Sequence, residues 1–165
     1  ELLAYSYHHL YRIDVSVLRY FTVFGPAGRP DMAPFRFIRW ISSGQPIRLF
    51  GDGSQSRDFT YIDDIARGTV ASVRNLGYEI INLGSGNNPV NVLQVISWLE
   101  ELIGKKALLD YQPRHPADLA DTWADIGKAR SLLGWEPRVQ PREGFARAVT
   151  WFRELENQGM SDWQV

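Results

Sequence analysis

The sequence predicts an α/β domain. Short apolar runs alternate with segments of helical periodicity, and glycine or proline marks most of the joins. The 165 residues, 44% hydrophobic and 22% charged, suit one globular core.

Residues 1–11 form the first expected helix, with Leu3, Tyr7 and Leu10 on one face. A strand follows over 14–21, carrying Val15, Val17 and Leu18. Residues 22–34 are a loop, punctuated by Gly25, Pro26, Gly28 and Pro30. Pro34 suits the first turn of a helix over 35–43, which Gly44 ends. A second strand covers 46–50. Asp63 or Asp64 is placed to cap a helix bearing Ile62, Ala66, Val70 and Val73. A third strand, 79–83, leads through Gly84-Ser85-Gly86 into a helix over 92–103. Asn91 and Gln94 stand there as a capping box, and Gly104 is the stop. A fourth strand over 107–111, a short helix over 126–133 capped by Asp125, and a last helix from Pro141 complete the domain. The tail, residues 155–165, is expected to be loose.

Bulk properties exclude several classes. A net charge of −1 gives no footprint for nucleic acid or an anionic membrane. With no cysteine, disulfides and thiolate metal sites are ruled out. No apolar run has the length of a membrane span and no signal peptide opens the chain, so a soluble cytoplasmic protein is the default expectation. His8 and His9 are adjacent and point to different sides of a helix, so they do not chelate one metal well. No metal site is expected.

The most informative stretch is Gly51-Asp52-Gly53-Ser54-Gln55-Ser56-Arg57-Asp58-Phe59-Thr60-Tyr61. Glycines let a backbone approach a ligand closely. Arg57, on a short bend, offers a planar fork that matches phosphate or carboxylate oxygens. The plainer reading is a strand–turn–helix corner with a surface Arg–Asp pair. Gly84-Ser85-Gly86 before a helix looks like half a dinucleotide fingerprint, but Pro89 fills the third glycine position, and it is expected to be an ordinary turn. No Gly-x-Ser-x-Gly, His-Glu-x-x-His or Walker pattern is present.

The motif Arg57-Asp58-Phe59-Thr60-Tyr61-Ile62-Asp63-Asp64 resembles the substrate-binding segment of NAD-dependent nucleotide-sugar epimerases and dehydratases, the extended short-chain dehydrogenase/reductase group. Arg19-Tyr20-Phe21-Thr22-Val23-Phe24-Gly25-Pro26 and Gly28-Arg29-Pro30-Asp31-Met32 are similar to its UDP-glucuronate 4-epimerase branch. The resemblance runs to about residue 155. It implies a Rossmann-like parent with NAD as cofactor. It places this chain as a C-terminal, substrate-binding portion lacking the N-terminal NAD-binding part, with 1–22 as the last helix and strand of the Rossmann region.

The resemblance also assigns roles. Tyr20 and Phe21 would flank the nicotinamide, although they also suit ordinary core. Thr22 would hydrogen-bond the hexose, and Arg29 would reach the diphosphate or an acidic sugar group. The 46–50 strand would present its backbone to uracil, Arg57 would clamp the diphosphate, and Asp118 would take the ribose hydroxyls. Arg114 or His115 would assist at the diphosphate. Phe24 stands where this family often has Tyr. The Gly-rich NAD fingerprint and the catalytic Tyr-x-x-x-Lys have no counterpart here, since the first lysine is Lys105. UDP-sugar binding without catalysis by the chain alone, with no NAD held by it, is therefore expected. So is self-association through Leu2, Leu3, Val15 and Val17. A stand-alone binding or assembly module is the alternative from another class, and a dehydratase or reductase shares the scaffold.

Overall fold

Glycine and proline set several of the helix boundaries in the computed structural model, which describes residues 1–86, 89–114 and 116–159. Helix α1, Leu2–Tyr11, ends on Arg12 in the left-handed region and buries none of its residues. Helix α2, Ala33–Ser43, starts at its proline, stops at Gly44 (φ 69°), and turns Phe35, Phe37, Ile38 and Ile41 inward. Helix α3, Ile62–Ala71, carries Asp63 and Asp64 in its first turn, where negative charge suits the helix dipole. Neither caps it by side chain; the N-cap position is Tyr61. Helix α4, Val92–Ile103, is capped by Asn91, whose side chain accepts from the Leu93 N–H at 2.8 Å. Helix α5, Pro141–Asn157, buries Phe145, Ala148, Val149, Phe152 and Leu155. Residues 155–157 thus belong to a packed helix rather than to a loose tail; residues 160–165 lie outside the described part. The expected helix over 126–133 is instead a π-helical turn, Ala129–Leu133, closed by Gly134.

Among the described residues, eight short strands pair two by two. β1 (Val15–Tyr20) lies parallel to β6 (Tyr78–Leu83), with Val15 opposite Tyr78 and Tyr20 opposite Leu83. β2 (Thr22–Phe24) is parallel to β5 (Phe59–Tyr61), and β3 (Pro46–Phe50) to β8 (Leu108–Gln112). Of these eight, β4 (Ser56–Arg57) and β7 (Val90–Asn91) run antiparallel. Parallel neighbours need long crossovers, and here those crossovers carry the helices.

This pairing corrects the expected fold class. A substrate-binding portion set apart from Rossmann architecture is not what the chain forms: its own strands make the parallel, helix-connected pairs of a Rossmann-type fold. Missing glycine motifs misled here because they report on cofactor contact and not on how strands pair.

Two apolar clusters hold the chain. One gathers α2, α4 and α5 over β3 and β5 and includes Ile41, Leu49, Phe59, Leu99 and Phe145. Phe24 stacks on Phe145 at 4.3 Å between ring centroids. The other surrounds Ile81, Leu83, Ile126 and Trp135. Trp135 donates its indole N–H to the Asp64 carbonyl at 2.9 Å. The Asp64 carboxylate, also buried, accepts from Arg67 and from the N–H groups of Arg138 and Val139, both at 2.9 Å. Among the described residues no helix is long and apolar enough to cross a membrane.

Candidate functional site

Strand β3 alternates strictly. Ile47 and Leu49 point into the first cluster, while Arg48 and Phe50 point out. Above this outer face lies a hollow of about 390 Å³, walled by α2, β3 and residues 55–59 and closed by Asp118. Its volume falls in the range of small-molecule sites.

Arg57 and Asp118 meet across this hollow. One guanidinium nitrogen of Arg57, Nη2, donates to the Asp118 carboxylate, and Nη1 donates to the carbonyls of Ser56 at 2.8 Å and Ala120 at 3.3 Å. Both side chains are mostly shielded, at 21% and 27% exposure. A guanidinium carries five N–H groups, so two remain for a ligand. Arg114 stands behind the pair and donates to the Asp118 carbonyl at 3.1 Å. Thr22 lines the same hollow.

The remaining expected residues lie elsewhere. Arg29 faces out, 73% exposed, and forks onto Asp31 at 2.5 and 3.1 Å. Asp31, not Arg29, borders the hollow. Hydrogen bonding from the Arg29 guanidinium holds the Asp31 carboxyl below the ordinary carboxylate range. Tyr20 is half exposed, with its hydroxyl hydrogen-bonded to Thr69 at 2.9 Å. Phe21 packs on the second cluster. His115 lies outside the described residues.

Residues not singled out beforehand complete the walls. Arg36 lies over the Trp40 ring at 4.5 Å from its centroid, and both border the hollow, as do Arg48 and Phe50. The available signals were the i, i+4 spacing of Arg36 and Trp40 and the outward register of β3. Cations outnumber carboxylates on these walls, with Arg36, Arg48 and Arg57 against Asp31 and Asp118. A hollow so lined offers guanidinium donors along one wall and the Trp40 and Phe50 rings beside them.

Gly53 and Gly86 make room for core side chains. Gly53 (φ 79°) admits Leu93 and Leu49, since a Cβ there would meet them at 2.7 and 2.9 Å. Asp52 closes the turn by accepting from the Ser54 hydroxyl at 2.6 Å and its N–H at 3.0 Å, which draws the Asp52 carboxyl below its usual value. At Gly86 a Cβ would meet the Ile126 side chain at 2.4 Å.

The chain belongs to the NAD dependent epimerase/dehydratase family, whose model matches residues 1–84. It is 63% identical over 154 residues to a UDP-glucuronate 4-epimerase of Thermodesulfobacterium geofontis, covering 93% of this chain and 48% of that protein. The crystal structure of UDP-glucuronic acid 4-epimerase from Bacillus cereus, in complex with UDP-glucuronic acid and NAD, superposes with a TM-score of 0.87. Identity is 42%, and the match covers 93% of this chain and 50% of that one. UDP-glucose 4-epimerase from Thermotoga maritima with UDP-glucose gives 0.88 at 29% identity, over 94% of this chain and 51% of that one. The chain thus spans about half the length of the relatives it matches. These matches run along nearly all of it and include an enzyme holding NAD, so the narrower assignment to a C-terminal half without NAD-binding architecture is withdrawn. NAD is the cofactor of this family.

Proposed function

We propose that the chain provides the nucleotide-sugar grip of a UDP-hexose or UDP-hexuronate 4-epimerase. The observation that carries this reading is the meeting of Arg57 and Asp118, with Thr22, in one cation-rich hollow. The two spare N–H groups of Arg57 would receive diphosphate oxygens, and Arg48 and Arg36 would add positive charge along the same wall. Asp118 would accept from ribose hydroxyls with the lone pairs that Arg57 leaves free. Thr22 would hydrogen-bond the hexose. The ring faces of Trp40 and Phe50 suit the base. His115 and Arg114 would adjust the diphosphate end. Arg29 is assigned a lesser part, holding Asp31 at the rim.

Tyr20 and Phe21 do not line the hollow: Tyr20 is hydrogen-bonded to Thr69, and Phe21 packs on the second cluster. When bound in the relatives, NAD supplies the hydride chemistry of the family. This chain's residues would bind and orient the sugar nucleotide, and without a Tyr-x-x-x-Lys pair they leave the sugar unreacted. Self-association through α1 belongs to the same proposal, because that helix leaves Leu2, Leu3 and Leu10 exposed.

Isothermal calorimetry with UDP-glucuronate tests the grip. Saturable binding to the wild-type chain, weakened in Arg57→Ala, is expected. Heats equal for the two proteins would remove Arg57 from the site, and no binding by either would remove the hollow from consideration.

A further inference from the structure

We propose that Asp58 is a positioning residue: its buried carboxylate latches the 118–124 loop and thereby sets Arg57 against Asp118. This rests on the reading of the hollow given above.

Asp58 has no exposed surface. It accepts from the Ser85 N–H at 2.5 Å, the Ala124 N–H at 2.8 Å, the Thr60 hydroxyl at 3.0 Å and the Gly86 N–H at 3.5 Å. Among the described residues, none of its hydrogen-bond donors is a cation. A bare buried carboxylate is very costly, and here it is offset by converging backbone dipoles. Those dipoles belong to separate segments, so the carboxylate fastens the segments to one another.

Neighbouring residues of an extended chain face opposite ways, which splits the work between residues 57 and 58. Arg57 faces the hollow and Asp58 the interior. The loop is bound at three successive residues. Ser56 pairs with it by backbone, donating to Ala120 at 2.9 Å and accepting from Thr122 at 3.3 Å. Arg57 holds Asp118 and the Ala120 carbonyl. Asp58 holds Ala124. Of the three, only Asp58 also ties the loop to the turn after β6.

The seat is closely packed on its Gly84 side. A Cβ at Gly84 would meet the Ala124 Cβ at 2.4 Å and the Asp58 Oδ2 at 2.9 Å. Asp58→Asn keeps the shape but turns an NH₂ toward the N–H of Ala124 or Ser85. A donor then faces a donor, and the loop is released with Asp118 on it.

The test uses the full chain and four variants: Asp58→Asn, Arg57→Ala, their double, and Thr60→Val, which removes one donor gently. UDP affinity is measured by calorimetry, and amide exchange of peptides in 118–124, α2 and α5 by mass spectrometry. Asp58→Asn is expected to weaken UDP roughly tenfold. If Asp58 acts through Arg57, the double variant binds no worse than Arg57→Ala. Exchange accelerates at 118–124 while α2 and α5 keep their protection, and Thr60→Val shows the same pattern to a smaller extent. Additive losses, or unchanged exchange at 118–124, overturn the proposal. If Asp58→Asn fails to fold, unchanged loop exchange in Thr60→Val overturns it. A wild type that does not bind UDP defeats the reading of the hollow, and the exchange pattern still decides the latch.

Discussion

Arg57 is the side chain on which the proposed grip and the protein's own structure converge. Its Nη groups already carry two carbonyls and a carboxylate, so its geometry is fixed before any phosphate arrives. Arg57→Lys keeps the charge but cannot hold these partners at once. Calorimetry with UDP should therefore show Lys recovering little of the affinity lost with Ala, a loss of about 1.5–3 kcal/mol. Gly84 makes a second residue-scale case. Adding one methyl there forces Ala124 away from Asp58. Gly84→Ala should cost about 1–3 kcal/mol of stability, read as a lower denaturant midpoint. Gly44→Ala, where a Cβ meets nothing, should cost only about 1 kcal/mol through its left-handed φ. Arg57 was legible in the sequence because glycines and aromatics surround it. Arg36 and Trp40 were not, since an amphipathic helix does not announce which edge of its polar face overlooks a hollow. Nor could the sequence show that Arg29 would spend its fork on Asp31, two residues away.

At the scale of elements, Glu100 ties the end of α4 to the start of β8. It accepts from Lys106 at 2.7 Å and from the Ala107 N–H at 2.8 Å. The Lys106 hydrogen bond, then the amide, hold its carboxyl below the ordinary value. A carboxyl so lowered contributes stability that is complete above its unfolded value and disappears as pH falls through the folded one. The thermal midpoint of the wild type should therefore fall more steeply than that of Glu100→Gln below about pH 4.3. Scans between roughly pH 6 and pH 3 would measure it. The long elements could be read from sequence: α2 and α4 from their caps, β3 from its bounding glycine and proline, α5 from its apolar period. The strands β2, β4, β5 and β7 could not, because two or three residues hold no measurable period. Two of those unreadable strands, β2 and β4, carry Thr22 and Arg57 to the hollow.

For the whole molecule, family membership and the α/β class were visible in the motifs, whereas the parallel Rossmann-type pairing was not, since register depends on partners far along the chain. Helix α1 is the least integrated part. Leu2, Leu3 and Leu10 are 86%, 72% and 68% exposed. Multi-angle light scattering should find a dimer or larger species, and Leu3→Glu with Leu10→Glu should shift it toward monomer. A clean monomer at high concentration would count against self-association.

The division of the apolar interior into two clusters has a dynamic consequence. Each cluster protects its own helices, so the molecule should breathe as two cooperative units, with Ile81 and Trp135 reporting on one and Leu99 and Phe145 on the other. The seam passes beside residues 58–60. A small molecule spanning that seam would make the two halves open together, as a single slow event.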